Sequence, residues 1–74
     1  MTRTAAEKAW KVLNEDIAAL GTAIETIKEW DEATCKAVFG TDKAKGLDNM
    51  QHALDAMLEK RTAFTLKAKA EGLL

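Results

Sequence analysis

Apolar residues recur along the first half of the chain with the spacing of a coiled-coil helix. Their steps alternate between three and four residues, which is typical of a helix that packs one stripe of its surface against a partner. This stripe, the first seam, consists of Ala6, Trp10, Leu13, Ile17, Leu20, Ile24 and Ile27. The next seam position holds Asp31. A carboxylate there needs a counter-charge, a hydrogen-bond donor or water, so Asp31 marks an interface boundary or a device that fixes register.

The ends of the first helix are indicated by capping residues. Thr4 and Glu7 have the T-x-x-E spacing of a capping box, in which each side chain accepts a hydrogen bond from a free backbone amide. Gly40 is suited to the left-handed conformation that ends many helices. The sequence therefore predicts helix 1 over about residues 4–39.

A second helix is predicted over about residues 48–71, with Thr41 or Asp48 as its capping residue and Gly72 as its terminator. One face of this helix, the second seam, consists of Leu47, Met50, Leu54, Met57, Leu58, Arg61, Phe64 and Ala68. A weaker apolar stripe on the opposite side consists of Ala56, Ala63, Leu66 and Ala70. Two apolar sides are more than a simple hairpin requires.

Gly21 offers an alternative organisation. Thr22 and Glu25 repeat the T-x-x-E spacing directly after this glycine, which would suit the end of one helix and the start of another in a three-helix bundle. The first seam nevertheless passes Gly21 without interruption, and a reversal between helices generally needs two or more loop residues. We therefore expect one continuous helix, weakened locally by the glycine, and keep the break at Gly21 as the alternative.

The predicted fold is all-α: a long antiparallel helical hairpin that forms a single domain over residues 1–74. A fold-back near residue 43 would leave the first turns of helix 1 without a partner. Burying one large apolar side chain contributes about 1.5 to 3 kcal/mol, so that end and the second stripe favour a homo-oligomeric helix bundle, most simply a dimer. The interface residues that we expect are Trp10, Leu13, Ile17 and Leu66.

Composition narrows the functional classes. The 74 residues include no proline and one cysteine, so no intrachain disulfide forms, and the formal net charge of −1 lacks the positive field of a typical phosphate-backbone binder. No apolar run approaches the roughly 20 residues that span a bilayer, and the first residues, "MTRTAAEKAW", do not resemble a signal peptide. We expect a cytoplasmic protein with no membrane segment.

Catalytic and metal-binding constellations are not apparent. Cys35 and His52 come close along a hairpin, but their helical phases differ: Cys35 projects toward the first seam and His52 away from the second. We expect a buried thiol that fills space and an exposed imidazole. We therefore predict a non-enzymatic protein without a cofactor or a metal site.

The leading functional hypothesis is a protein-interaction module that acts on another protein as an adaptor, regulator or inhibitor. Arg61 lies in the second seam, where we expect an ion pair with Glu25 or exposure of the guanidinium at the edge. Two alternatives remain, namely an oligomer that sequesters a nucleotide or another anion, and a nucleic-acid-binding four-helix bundle. Candidate contacts to a partner or an anion are Trp30, Lys60, Arg61, Thr65 and Lys67.

Overall fold

The computed structural model describes residues 1–73, and every element in that range is helical. Helix α1 spans Arg3–Lys28, α2 spans Glu32–Phe39 and α3 spans Lys43–Ala70. α1 and α3 pack as an antiparallel hairpin, α2 packs against α3, and the molecule is a rod of 49 × 16 × 15 Å. The predicted all-α hairpin is confirmed. Within residues 1–73 no helix is both long and apolar enough to cross a membrane.

Gly21 lies inside α1, so the predicted continuity at this position is confirmed and the alternative break there is wrong. The first seam explains the continuity, because Ile24 and Ile27, directly after the glycine, are both buried. Thr22 does not cap a helix. Its carbonyl accepts a hydrogen bond from the Thr26 hydroxyl at 2.9 Å, an ordinary contact between successive helical turns.

The prediction of one helix through residue 39 is wrong, because the chain breaks at residues 29–31. Asp31 adopts an extended conformation, and its carboxylate accepts a hydrogen bond from the Thr34 amide at 2.7 Å, which caps α2. The backbone and side-chain hydrogen bonds from Thr34 lower the pKa of Asp31 below its ordinary value, and the charge of Lys43 adds to this effect. As a cap, the carboxylate stays in solvent instead of entering the helix interface.

Lys43, the first residue of α3, joins the three helices at this break. Its ammonium donates hydrogen bonds to the carbonyls of Lys28, at 2.5 Å, and Trp30, at 2.8 Å. Its backbone amide donates to the Glu32 carboxylate at 3.0 Å. We call these three contacts the Lys43 clamp. The ammonium satisfies the Lys28 carbonyl, which α1 leaves free at its C-terminus, and the Trp30 carbonyl just beyond it, and it places a positive charge at the negative end of the helix dipole.

The start of α1 lies slightly before the predicted one. The Thr2 hydroxyl, not that of Thr4, caps the helix by accepting a hydrogen bond from the Ala5 amide at 3.1 Å. Glu7 is therefore not part of a capping box, and its carboxylate lies 3.6 Å from the Arg3 guanidinium. Capping by Thr2 allows one more residue to join the helix than the predicted start at residue 4.

The start of α3 is earlier than predicted by five residues. Asp42 caps it, accepting a hydrogen bond from the Lys45 amide at 2.8 Å, so Thr41 and Asp48 are wrong as capping residues. Aspartate caps better than threonine, and Asp42 directly precedes the first helical residue. Asp48 lies inside α3.

The predicted helix terminators, Gly40 and Gly72, are confirmed. Both adopt left-handed conformations, with φ of 71° and 72°. At the end of α3, the Leu73 amide donates to the Ala68 carbonyl at 2.8 Å and the Gly72 amide to the Lys69 carbonyl at 3.0 Å. This pair of bonds is a Schellman motif, which satisfies carbonyls that the helix itself leaves free.

The ion pairs within residues 1–73 all join side chains of one helix that are three or four residues apart. They are Arg3 with Glu7, Lys11 with Glu15, Lys28 with Glu25, and Asp48 with His52 if the imidazole is protonated. All of these side chains are exposed, and such pairs contribute at most about 0.5 kcal/mol each. The hairpin is therefore held together by contacts other than ion pairs.

Candidate interaction surface

Most large apolar side chains of the two seams are only half-buried. The buried apolar residues are Ala6, Ile24, Ile27, Cys35 and Ala68. The half-buried apolar residues of the seams are Trp10, Leu13, Ile17, Leu20, Leu47, Met50, Leu54, Met57, Leu58 and Phe64. A two-helix hairpin covers each seam only along its centre, so both flanks of the α1–α3 interface remain open to solvent.

The sequence analysis predicted an overhang, in which the first turns of helix 1 extend beyond the end of helix 2 and have no partner. The register of the hairpin shows that there is no such overhang. Arg61 meets Asn14, which places the fold-back near residue 38 and not near residue 43. Ala6 and Ala68, close to the two free helix ends, are both fully buried. The overhang prediction is wrong because it assumed a single helix through residue 39, whereas α2 takes up part of the connection and the two long helices match in length, with 26 and 28 residues.

Arg61 forms a second polar contact between the two long helices, in addition to the hydrogen bond from Lys43 to the Lys28 carbonyl. Its guanidinium donates a hydrogen bond to the Asn14 side-chain oxygen at 2.9 Å and lies 6.0 Å from the Trp10 ring centroid, within the range of a cation–π contact. The predicted ion pair with Glu25 does not form, because the earlier fold-back places Glu25 elsewhere and its carboxylate pairs with Lys28 at 3.0 Å. Arg61 therefore fixes the register through a neutral partner and an aromatic ring.

A shallow apolar groove of about 560 Å³ runs along α1 near its start, away from α2. Val12, with 48% of its surface exposed, is the large apolar side chain that the groove leaves most open. The lining residues are Ala5, Lys8, Ala9, Val12 and Leu13. Of the predicted interface residues, Leu13 thus lines the groove, Trp10 and Ile17 are half-buried in the first seam, and Leu66 is 66% exposed on α3.

The predicted contacts to an anion are not brought together within one chain. The Trp30 ring stacks on Phe39 beside the Lys43 clamp, with ring centroids 6.5 Å apart. Arg61 lies 18 residues after Lys43 on α3, which corresponds to about 27 Å along the helix axis. The remaining candidates are the exposed Lys60 and Lys67, and Thr65, whose hydroxyl donates to the Arg61 carbonyl at 2.8 Å.

The cysteine and the histidine occupy the positions predicted from their helical phases. Cys35 is fully buried, whereas 73% of the His52 side chain is exposed, with its ring 3.7 Å from the Asp48 carboxylate. Among residues 1–73, no group of three or more histidine, cysteine or acidic residues is arranged to hold a metal ion.

Lys43 is the important residue that the sequence did not reveal. Nothing in the residues around it predicts that its ammonium contacts carbonyls 13 and 15 residues earlier in the chain. The anomalous carboxylate of Asp31 in the first seam was the available signal that the helix ends there.

No protein-family model, curated protein or solved structure matches this chain. Its function is therefore inferred from the physical properties of its surface, of which the open apolar flanks are the main feature.

Proposed function

We propose that this protein is a small interaction module that self-associates through an open flank of the α1–α3 hairpin and binds another protein as an adaptor, regulator or inhibitor. The supporting observation is that the large side chains of both seams are only half-buried in a single hairpin. In a closed helix bundle, further helices cover such positions. A second copy of the chain is the simplest source of these helices.

The shape of the molecule supports a partner of this kind. Its radius of gyration is 15.9 Å, against about 11 Å for a compact domain of this length. Its accessible surface is 5100 Å², against about 4500 Å² for a compact protein of the same mass. One long face of 49 by 15 Å covers about 700 Å², close to the roughly 800 Å² that each partner buries in a standard interface.

The interface that we assign is the flank of α1 that carries the apolar groove. Val12 and Ala9 supply apolar surface there, and Lys8 lies at the same site. A formal net charge of −1 means that two copies repel each other only weakly. The same groove is suited to the apolar face of an amphipathic helix from a different protein.

Sedimentation velocity tests the self-association. We expect the parent protein to associate at about 10 to 100 μM and Val12→Lys to weaken association about tenfold or more, since it places a charge in the apolar interface. About half of the Val12 surface is exposed in the single hairpin and Val12 is not among its buried residues, so this variant is expected to keep its fold. Ala18→Lys adds the same charge to an exposed position about 120° around α1 and is the matched control.

Two results would contradict the proposal. A monodisperse monomer of 8.1 kDa up to about 100 μM would exclude self-association of useful strength. Weaker association in Ala18→Lys, with Val12→Lys unaffected, would place the interface on another side of α1. Binding to a different protein is tested by affinity capture, in which the amount of bound protein is compared between the parent, Val12→Lys and Ala18→Lys.

A further inference from the structure

The break between α1 and α2 occurs without a helix-breaking residue. From Thr22 to Phe39 the chain contains neither glycine nor proline. Glu29 keeps near-helical torsion angles, φ −86° and ψ −11°, and the amides of Glu29 and Trp30 still donate to carbonyls three residues earlier, at 3.1 and 3.0 Å. Asp31, with ψ of 166°, is the residue that departs from the helical path. Local sequence therefore permits a continuous helix here.

Broken and continuous helices satisfy the same backbone groups in different ways. In a continuous helix, the carbonyls of Lys28 and Trp30 would accept from the amides of Glu32 and Thr34, four residues later. In the broken form, the Lys43 ammonium supplies the donor to both carbonyls. The Thr34 amide then donates to a carboxylate instead. The balance between the two forms thus depends on contacts made by Lys43.

The broken form folds α2 against the first turns of α3. The Phe39 ring packs so closely on Gly46 that no side chain fits at that position, and Phe39 also stacks on Trp30. Cys35 is fully buried in this arrangement. Movement of α2 away from α3 would expose the Cys35 thiol and uncover Gly46 and the neighbouring Leu47.

We propose that residues 29–31 are a hinge and that the Lys43 clamp is the latch that holds α2 against α3. When the latch opens, α2 continues the helical path of α1, and because only residues 40–42 link α2 to α3, the first turn of α3 unwinds to span the added distance. α2 is thus a movable cover over the first turns of α3. This device operates within one chain and does not require self-association.

Reactivity of the Cys35 thiol tests the hinge, because the chain contains one cysteine and its side chain is buried only while α2 is docked. We compare the rate of labelling by a thiol reagent in the parent, in Lys43→Met and in Lys45→Met. Met keeps the length of the side chain but removes the ammonium. Within residues 1–73 the Lys45 side chain forms no ion pair or hydrogen bond, so Lys45→Met is the matched control.

We expect Lys43→Met to accelerate labelling about tenfold or more, because two hydrogen bonds to a charged donor are lost. Lys45→Met should change the rate by no more than about twofold, as is usual for surface positions. In the parent protein, labelling should rise only weakly with urea concentration, since opening of α2 exposes much less surface than global unfolding.

Two outcomes would overturn the proposal. Equal labelling rates in Lys43→Met and Lys45→Met would show that the ammonium does not hold α2. A urea dependence in the parent as steep as that of global unfolding would show that Cys35 becomes accessible only when the whole chain unfolds. This second measurement needs no variant, so it decides the matter even if Lys43→Met fails to fold.

Discussion

Substitution of Gly46 by alanine tests the packing between α2 and α3. An added methyl group at Gly46 would lie 2.9 Å from both Cγ and Cε2 of Phe39, and closer still to Cδ2. Because Cγ is among these atoms, rotation of the ring about its own axis does not relieve the clash, and the whole ring must shift relative to Trp30. At Gly21, by contrast, the same methyl group would meet nothing within 4 Å.

The magnitude follows from two opposing effects. Replacing a glycine inside a helix by alanine stabilises the helix by about 1 kcal/mol, and excess volume in a packed site costs about 1 to 3 kcal/mol. Gly21→Ala gains the first effect alone, so we expect it to be more stable than the parent by about 1 kcal/mol. Gly46→Ala combines both, and we expect its free energy of unfolding to fall by about 0 to 2 kcal/mol.

Urea unfolding followed by helical ellipticity gives the free energy of unfolding of both variants. The difference between Gly46→Ala and Gly21→Ala is then the steric cost at Gly46. Tryptophan fluorescence provides a second readout, because Trp30 stacks on the displaced Phe39 ring. In the double variant Gly46→Ala/Phe39→Leu, the smaller side chain at position 39 should recover part of the stability that Gly46→Ala loses, as expected for sites in direct contact. If Gly46→Ala is as stabilising as Gly21→Ala, Phe39 does not pack on Gly46 and the docking of α2 described above is refuted.

Three further predictions concern the hairpin contacts and the cap of α2. Arg61→Ala and Asn14→Ala should each lower the free energy of unfolding by about 1 kcal/mol, with a coupling of about 0.5 to 1.5 kcal/mol in a double-mutant cycle; additive effects would contradict the hydrogen bond. Trp10→Ala should cost about 2 kcal/mol in urea unfolding, roughly half the value for a fully buried aromatic residue, and an unchanged midpoint would argue against its place in the seam. The cap by Asp31, whose pKa is lowered in the folded state by the Thr34 hydrogen bonds, should stabilise α2 above the ordinary carboxyl pKa of about 3.9 and lose this contribution as pH falls through the lower folded value. Asp31→Asn should remove that part of the pH dependence of the urea midpoint, and an identical pH profile in both proteins would contradict it.

The features that the sequence predicted correctly are those set by residues close together in the chain. The first seam runs past Gly21 without interruption, and its buried members Ile24 and Ile27 carry α1 beyond the glycine. Gly40 and Gly72 end their helices because left-handed torsion angles suit glycine, a property independent of the rest of the fold. Periodicity and the glycine terminators therefore predicted the packed faces and two helix ends, whereas the N-terminal caps were assigned to the wrong residues.

The break between α1 and α2 and the register of the hairpin, which the sequence did not predict, depend on contacts between distant residues. At the break, the ammonium of Lys43, 12 positions after Asp31, donates to the carbonyls of Lys28 and Trp30, which a continuous helix would pair with its own amides. The missed break then displaced the fold-back point, which produced both the wrong partner for Arg61 and the wrong overhang. In a hairpin, one error in the connection shifts every pairing between the two helices, although the faces that pack remain the same.

The placement of the ion pairs has a practical consequence for solution studies. Within residues 1–73 each pair stays inside one helix, and the two long helices meet through apolar side chains and through two hydrogen bonds, from Arg61 to Asn14 and from Lys43 to the Lys28 carbonyl. Dissolved salt screens exposed charges but leaves apolar burial intact or strengthens it. We therefore expect sodium sulfate to preserve the hairpin while it weakens any electrostatic attraction to a partner. Varying the ionic strength can then separate the effect of a substitution on folding from its effect on electrostatic binding to a partner.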